Sequence, residues 1–470
     1  MSAPDISIIS VGVGIGDRRL PIAEVGAAWG RSGRGQVAVC SPDEDTLTLA
    51  WSAADAAITA LGADGTTIDG LWWGTTRPPF AEGPSWSYLA ATLGLRNDAA
   101  GAMCTGSPHA GLDAFDAACD AVGSGRITTA LVVCSDALLP GLGSGFETAC
   151  GAGAVAMLLE QGEGGAVVVE RSRSFEPFLD RYRGDREDET RDVYDGRLFR
   201  EQIFLPLTTR CASGLDVDRA ATRWSLPDPD GRLGAALGKK IGAAVVSSAD
   251  HRRSLGELGA AAAWVGIVPA LAEPGPAAVV AFGGGRASAL RLDVISPVPG
   301  VTAAIAALDA VASPISYAEV LRSRGQLVAS GEQVEMAVPP GSAMFVRDNH
   351  DILGLLGARC VECGTVNFPP AIHPSCVGCG GDKFDEIALA RAGTVQTFVI
   401  NHTMPAPFVA PLPLVCVDLV DGSRVMFQGV GDGTGIEIGA PVRLVLRRYT
   451  VERGVPVYGW KVAPTTEAFT

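Results

Sequence analysis

The chain has 470 residues, with 37 Lys and Arg against 52 Asp and Glu, a formal net charge of −15, 47% apolar residues and 19% charged ones. That balance excludes a disordered chain and leaves apolar surface for two to three packed domains. It also speaks against a partner bound through a phosphate backbone, which needs a basic stripe, and no run of 18 apolar residues supplies a membrane span.

The start, MSAPDISIIS, lacks a basic segment followed by an apolar run, so no secretory signal and a cytoplasmic location are expected. Strands are predicted at Ile6 to Val13, Gly70 to Trp73, Thr129 to Ser135, Gly153 to Glu160, Gly165 to Glu170 and Ala277 to Gly283. They are short, Val/Ile/Ala-rich and Gly-bounded, as strands buried on both faces are. Gly12 to Gly16 reads as the turn after the first of them, not as a nucleotide loop. Helices are predicted between the strands, at Thr46 to Leu61, Pro84 to Leu95, Ser107 to Gly123, Gly231 to Gly242 and Leu255 to Leu271. This βαβα rhythm predicts a layered α/β domain with a mostly parallel sheet and a weak internal duplication. The halves are expected at residues 1–165 and 166–295.

Residues 296–352 read as a connector with helices at Thr302 to Val311 and Tyr317 to Ala329. Residues 353–385 hold a cysteine cluster. Residues 386–470 carry five alternating strands, starting at Gly393, Pro413, Arg424, Pro441 and Val455, with Gly turns such as Asp432-Gly-Thr-Gly435. Five short strands of this kind predict a small barrel of the OB type.

Eleven cysteines do not read as a disulfide scaffold in a chain this long. Cys360-Val-Glu-Cys363 and Cys376-Val-Gly-Cys379 form two CxxC knuckles, each followed by glycine (Gly364, Gly380). Four thiolates at this spacing suit a structural Zn²⁺, although soft sulfur ligands also admit iron. His373, between the knuckles, reads as a bystander. A ribbon ahead of a barrel can also bind nucleic acid; the acidic balance makes that the lesser reading.

Cys104, in Gly101-Ala-Met-Cys104-Thr-Gly-Ser-Pro-His-Ala-Gly-Leu-Asp-Ala-Phe115, precedes a Gly-containing turn and a long amphipathic helix. A thiol at a helix N-terminus is activated by the positive end of the dipole, and N–H groups there can hold an oxyanion. A buried small residue at a strand–helix junction is the alternative.

Two resemblances bear on these motifs. Gly357-Ala-Arg-Cys-Val-Glu-Cys-Gly-Thr-Val-Asn-Phe-Pro-Pro370, with Tyr317-Ala-Glu-Val-Leu before it and Gly-Trp-Lys461 after it, resembles a family of zinc-ribbon plus OB-fold proteins that accompany acyl-CoA enzymes. The Cys104 stretch, Gly151-Ala-Gly-Ala-Val-Ala-Met-Leu-Leu159, Asp195-Gly-Arg-Leu and Phe282-Gly-Gly-Gly285 together resemble the thiolase superfamily. The nearest branch is ketoacyl synthase III and hydroxymethylglutaryl-CoA synthase. This second resemblance covers about residues 5–295. It implies a five-layered αβαβα fold of two similar halves, a homodimer through that domain, acyl-CoA or an acyl carrier as substrate, and Cys104 as the acylated nucleophile.

The departures from that family are specific. Ser225, in Trp224-Ser-Leu-Pro227, stands where the resemblance places a histidine. Glu257, in Ser254-Leu-Gly-Glu-Leu-Gly259, stands at the asparagine, and Thr76, in Gly74-Thr-Thr-Arg77, at the glutamate of the hydroxymethylglutaryl-CoA branch. Ser225 is no base near neutral pH, whereas a buried Glu257 becomes one if its pKa is raised. His109 is expected to be structural, His251 superficial and His402 a loop residue. Arg77, Lys239, Lys240 and Gly284 are the candidate cofactor contacts. The resulting expectation is acyl transfer that makes or breaks a carbon–carbon bond. The alternative is a catalytically silent scaffold or a partner of an active thiolase-family subunit.

Overall fold

The computed structural model describes residues 5–193, 195–328, 343–404, 408, 410–452 and 454–466. Two compact units divide the chain, Met1–Leu89 with Leu95–Val328 and Ala90–Gly94 with Ala329–Thr470.

The first unit is a duplication. Its first half runs β1 (Ile6–Ile15), α1 (Thr46–Thr59), β2 (Gly70–Gly74), α2 (Ser85–Thr92), β3 (Ala100–Cys104), α3 (Ala110–Gly123), β4 (Ala130–Ala137) and β5 (Ala152–Gln161). Its second half repeats the order with β6 (Ala166–Phe175), α4 (Leu205–Ser213), β7 (Arg223–Ser225), α5 (Leu233–Ile241), β8 (Val245–Val246), α6 (Ala262–Ile267), β9 (Gly275–Gly283) and β10 (Arg286–Val294). The strands form one sheet in the order β8-β7-β9-β10-β6-β1-β5-β4-β2-β3. Each half therefore has the same internal order, third, second, fourth, fifth and first strand. Between the named strands the halves pair at Ser7 opposite Val167 and Ile8 opposite Ala166.

The expected mostly parallel sheet is corrected to a mixed one. In both halves the third, second and fourth strands are mutually parallel, and the fifth lies antiparallel between the fourth and the first. The reason is visible at Gly284-Gly285. A two-residue turn, with φ of 60° and 69°, returns the chain directly from β9 to β10 and admits only antiparallel pairing.

Layering follows from alternation. Ala277, Val279 and Ala281 of β9 enter the central core with α3 and α6, while Ala278, Val280 and Phe282 enter a second cluster with α4 and α5. Phe115 of α3 and Trp264 of α6 meet with ring centroids 4.3 Å apart. On the outer face of the first half, α1 packs on β1 and β5. Gly12 and Gly14 lie within β1, not in a turn after it. A Cβ at Gly12 would come within 2.3 Å of the Ala53 carbonyl, so these glycines seat α1 on the sheet.

The helix expected over Leu255 to Leu271 is broken. A helix over Ser248–Leu255 stops at Gly256 (φ 87°), and a 3₁₀ turn over Gly259–Ala261 leads into α6. The connector helices are Val301–Asp309 and Tyr317–Ser323. Between them Ser313–Pro314 pairs with Arg18–Pro21, which pairs in turn with Gln36–Val39. Of the rest of the expected connector, residues 329–342 lie outside the described residues, and Ala343–Gly354 is a helix that runs to the edge of the ribbon.

In the second unit β11 (Leu356–Cys360), β12 (Val366–Asn367) and β13 (Phe384–Ala388) form a small ribbon with β11 in the centre. The strands β14 (Ala392–Asn401), β15 (Leu412–Leu419), β16 (Arg424–Gln428), β17 (Pro441–Glu452) and β18 (Val455–Pro464) follow in the order β16-β15-β14-β17-β18. Gly429 bridges Val462, bringing the end of β16 to β18 and closing the sheet into a barrel. Val415, Val417, Val442, Leu444, Leu446 and Val462 fill it, one residue in two along each strand.

Candidate functional site

A cavity of about 800 Å³ lies in the first unit and is lined by residues of both halves, among them Pro108, Phe146, Arg181, Glu257, Phe282 and Gly283. The turn after β9 shapes one wall. A Cβ at Gly283 would stand 2.8 Å from Pro108 Cδ and 2.9 Å from the His109 nitrogen, so only glycine lets this turn meet the start of α3. Gly284, next to it, donates its N–H to Asp180 Oδ2 at 2.9 Å.

Glu257 sits in the break ahead of α6. Its N–H donates to the Ala149 carbonyl and its own carbonyl accepts from Gly151, both at 2.7 Å, which ties the break to the segment before β5. The residue is 5% exposed, and its Oε1 accepts the Gly259 N–H at 3.2 Å. Burial pushes its carboxyl pKa up, and Arg181 and Arg252 partly oppose the shift. A carboxyl group of this kind is a proton donor or acceptor facing a cavity. The cationic lining comes from Arg34, Arg181, Arg232, Arg252 and Arg253.

Asp136, at the end of β4, went unnoticed in the sequence. It is fully buried. Its Oδ1 accepts from Thr75 Oγ1 (2.9 Å) and from the N–H groups of Thr76 (2.8 Å) and Arg77 (3.1 Å). Its Oδ2 accepts the Ala260 N–H at 2.7 Å. One side chain thus fastens the loop after β2 to the 3₁₀ turn before α6. Burial raises its pKa to about 6 against those hydrogen bonds. The signal available was the polar Ser135-Asp136 pair closing an otherwise apolar strand.

The nominated residues do not converge on the cavity. Cys104 is the last residue of β3, and α3 begins only at Ala110, so the thiol is not at the helix N-terminus. Burial and Asp113 push its pKa up while Arg286 opposes, the reverse of the expected activation. The charged neighbours of Glu257 are Arg181, Arg252 and Asp228, a different set. Among the described residues no cysteine or histidine lines the cavity; Pro108 occupies the place beside the glycine turn. Ser225 is fully buried at the end of β7, where its Oγ donates to the Ala263 carbonyl at 2.6 Å. Thr76 is half-buried on the Asp136 network. Arg77 donates to the Asp188 carbonyl at 2.6 Å, and burial pulls its pKa down to about 10. Lys239 and Lys240 are exposed in the last turn of α5, whereas Leu233, at the other end of that helix, lines the cavity.

Of the histidines, His251 is expected at the surface, but its side chain is only 12% exposed. His109, 1% exposed, pairs its Nε2 with Ser288 Oγ at 2.9 Å and stands 3.2 Å from Asp113. His251 faces Asp309 at 3.4 Å, and His402 is exposed.

In the second unit the sulfurs of Cys360, Cys363, Cys376 and Cys379 lie within 4.8 Å of one another. Cys360 and Cys379 are 3.6 Å apart, as are Cys363 and Cys376. Four sulfurs about 2.3 Å from a tetrahedral zinc would be about 3.8 Å apart, so the set fits such an ion. The knuckle glycines Gly364 (φ 75°) and Gly380 (φ 80°) donate to the Cys360 and Cys376 carbonyls. The Gly378 N–H points at Cys376 Sγ, 3.3 Å away. His373 is not part of the cluster.

A duplicated, layered mixed sheet with its cavity between the halves defines the first unit as thiolase-like, and the second unit is a ribbon with an OB barrel. Residues 353–385 match the family described as ChsH2, rubredoxin-like zinc ribbon domain, and residues 386–447 match ChsH2, C-terminal OB-fold domain. A DUF35 domain-containing scaffold protein of Methanothermobacter thermautotrophicus is 36% identical over 118 residues, which are 24% of this chain and 87% of that protein. The chain belongs to the DUF35 domain-containing family, with a thiolase-superfamily domain of the hydroxymethylglutaryl-CoA synthase type joined to the ribbon and barrel. The hydroxymethylglutaryl-CoA synthase of Pyrococcus furiosus is 31% identical over 157 residues, 33% of this chain and 45% of that enzyme. The chain thus matches less than half the length of that synthase. The solved structure of MvaS in complex with 3-hydroxy-3-methylglutaryl coenzyme A superposes with a TM-score of 0.59 and 20% identity, covering 72% of this chain and 94% of that one. This last likeness is one of fold.

Proposed function

We propose that the first unit binds an acyl thioester, carried by CoA or a carrier protein, in the cavity above Glu257. Glu257 then moves a proton at the carbon next to the thioester carbonyl, in a reaction that makes or breaks a carbon–carbon bond. The observation that carries this reading is the buried Glu257 carboxyl on the cavity wall, its pKa pushed up toward the range of a working acid or base. Similarity to hydroxymethylglutaryl-CoA synthases supports the substrate class. A cysteinyl thioester on Cys104 is the competing version of the chemistry, and the distance of the thiol from the start of α3 counts against it. Incubation with acyl-CoAs followed by intact-mass analysis separates the two. The carboxylate reading expects no acyl adduct and loss of turnover in Glu257→Gln with Cys104→Ala unaffected. An adduct on a Cys104 peptide, or full activity in Glu257→Gln, would sink it.

The second reading is a scaffold for an active thiolase-family subunit. It is favoured by a cavity that no cysteine or histidine lines among the described residues and by similarity to a protein described as a scaffold. It expects thioester binding without turnover until such a subunit is added. The second unit would then be held by one structural Zn²⁺, measurable as one zinc per chain by elemental analysis. A homodimer through the first unit fits the outer strand β3, whose Gly101 and Ala102 are exposed and unpaired on one side. Light scattering tests it.

A further inference from the structure

We propose that the acyl group this cavity accepts ends in a carboxylate, and that Arg181 is the residue that holds it. The proposal rests on the reading of the cavity as an acyl-thioester site and deepens it.

Arg181 lines the cavity, and its guanidinium carbon lies 3.5 Å from the centroid of the Phe146 ring, which lines it too. The stacking holds the planar group in one orientation. Its single hydrogen bond runs from one terminal nitrogen to the Pro229 carbonyl, at 3.2 Å. Its Nε is shut off from solvent and has no partner. Among the described residues it forms no ion pair. A guanidinium is always charged, so a shut-off edge left without a hydrogen-bond partner costs stability unless a ligand supplies one.

The nearest acidic groups are engaged elsewhere. Asp180 accepts the Gly284 N–H at 2.9 Å, Asp192 the Val193 N–H at 2.9 Å, and Glu257 the Gly259 N–H at 3.2 Å. They offset the charge of Arg181 at longer range without occupying its hydrogen-bonding edge. The lining as a whole carries five arginines against Asp180, Asp192, Asp230 and Glu257, so it suits an anionic ligand. A carboxylate also matches the fork of an arginine with two parallel hydrogen bonds. Glu257 and Arg181 share the cavity, so an acyl chain with its thioester near Glu257 would present a terminal carboxylate to Arg181.

Succinyl-CoA and butyryl-CoA differ by a carboxylate in place of a methyl group, and their affinities for the full chain can be measured by isothermal titration calorimetry. The expectation is at least tenfold tighter binding of succinyl-CoA, with the preference lost in Arg181→Gln and reduced in Arg181→Lys, which keeps the charge but not the fork. Equal affinities in the wild type, or a preference that survives Arg181→Gln in a variant with unchanged thermal unfolding, would overturn the assignment alone. Failure of both thioesters to bind would overturn the cavity reading and the assignment with it. Binding of inorganic phosphate that depends on Arg181 would overturn the choice of a carboxylate.

Discussion

The two halves of the first unit share one strand order and differ in regularity. In the first half β2 and β3 have five residues each, and a continuous 14-residue α3 follows. In the second half the corresponding β7 and β8 have three and two, and the helical stretch that corresponds to α3 is interrupted at Gly256 and Gly259. The regular half supplies the frame. The interrupted half supplies the proposed acid–base group, because Glu257 lies in the break and on the cavity wall. Local irregularity in a duplicated fold therefore points to its working residues.

Removing the tie between the halves is the most forceful way to break this picture. Asp136→Ala leaves three donors without an acceptor, since of the four only the Arg77 N–H has another in Thr75 Oγ1, and is expected to cost about 3–5 kcal/mol in urea unfolding; a loss below about 1 kcal/mol would mean the halves do not depend on it. The same residue has a pH signature. Its folded pKa lies above the ordinary carboxylate value, so its contribution is complete below pH 3.8 and is lost as pH rises through about 6. The stability of the wild type relative to Asp136→Asn should fall between pH 4 and 7. A flat difference would contradict the shift.

Gly283→Ala tests the seam from the other side. The added carbon meets Pro108 and the His109 backbone at under 3 Å, with an expected cost of about 1–3 kcal/mol and weaker ligand binding. Ser225→Ala should cost about 1 kcal/mol, the value of one buried hydrogen bond, and leave thioester affinity unchanged. A loss of affinity there would return Ser225 to the site. Glu257→Gln should have the smallest effect on folding and the opposite sign. A carboxyl whose pKa is raised on folding contributes less stability as pH rises, so the variant should gain on the wild type between pH 4 and pH 8, and an unchanged difference would contradict the shift.

What the sequence disclosed depended on how strongly each segment was buried. The apolar runs of β1, β4, β5 and β9 announced themselves, as did α1, the CxxC knuckles and all five barrel strands. β3 did not: Ala-Gly-Ala-Met-Cys alternates nothing and lies at the sheet edge with exposed residues. Missing that strand moved α3 three residues too early, from Ala110 to Ser107, and put Cys104 closer to its N-terminus than it is. Ser107-Pro108-His109 fills the gap instead. Glu257 was found because it replaced an expected asparagine. The cavity arginines were missed because Arg34, Arg181, Arg232 and the Arg252-Arg253 pair come from four separated places that only folding assembles.

The duplication also orders events in time. β1 is made first, but its ladder partners are β5, at the far end of the first half, and two residues of β6. Its edge therefore stays unsatisfied through most of the synthesis of that half. Pairing at such sequence separation is slow, because the loop must close before any contact repays it. Until β5 emerges, Ile6–Ile15 is an apolar strand open to wrong partners. A truncation that ends before Ala152 should collect as aggregate, whereas one that ends after Gln161 has everything it needs to close the first half.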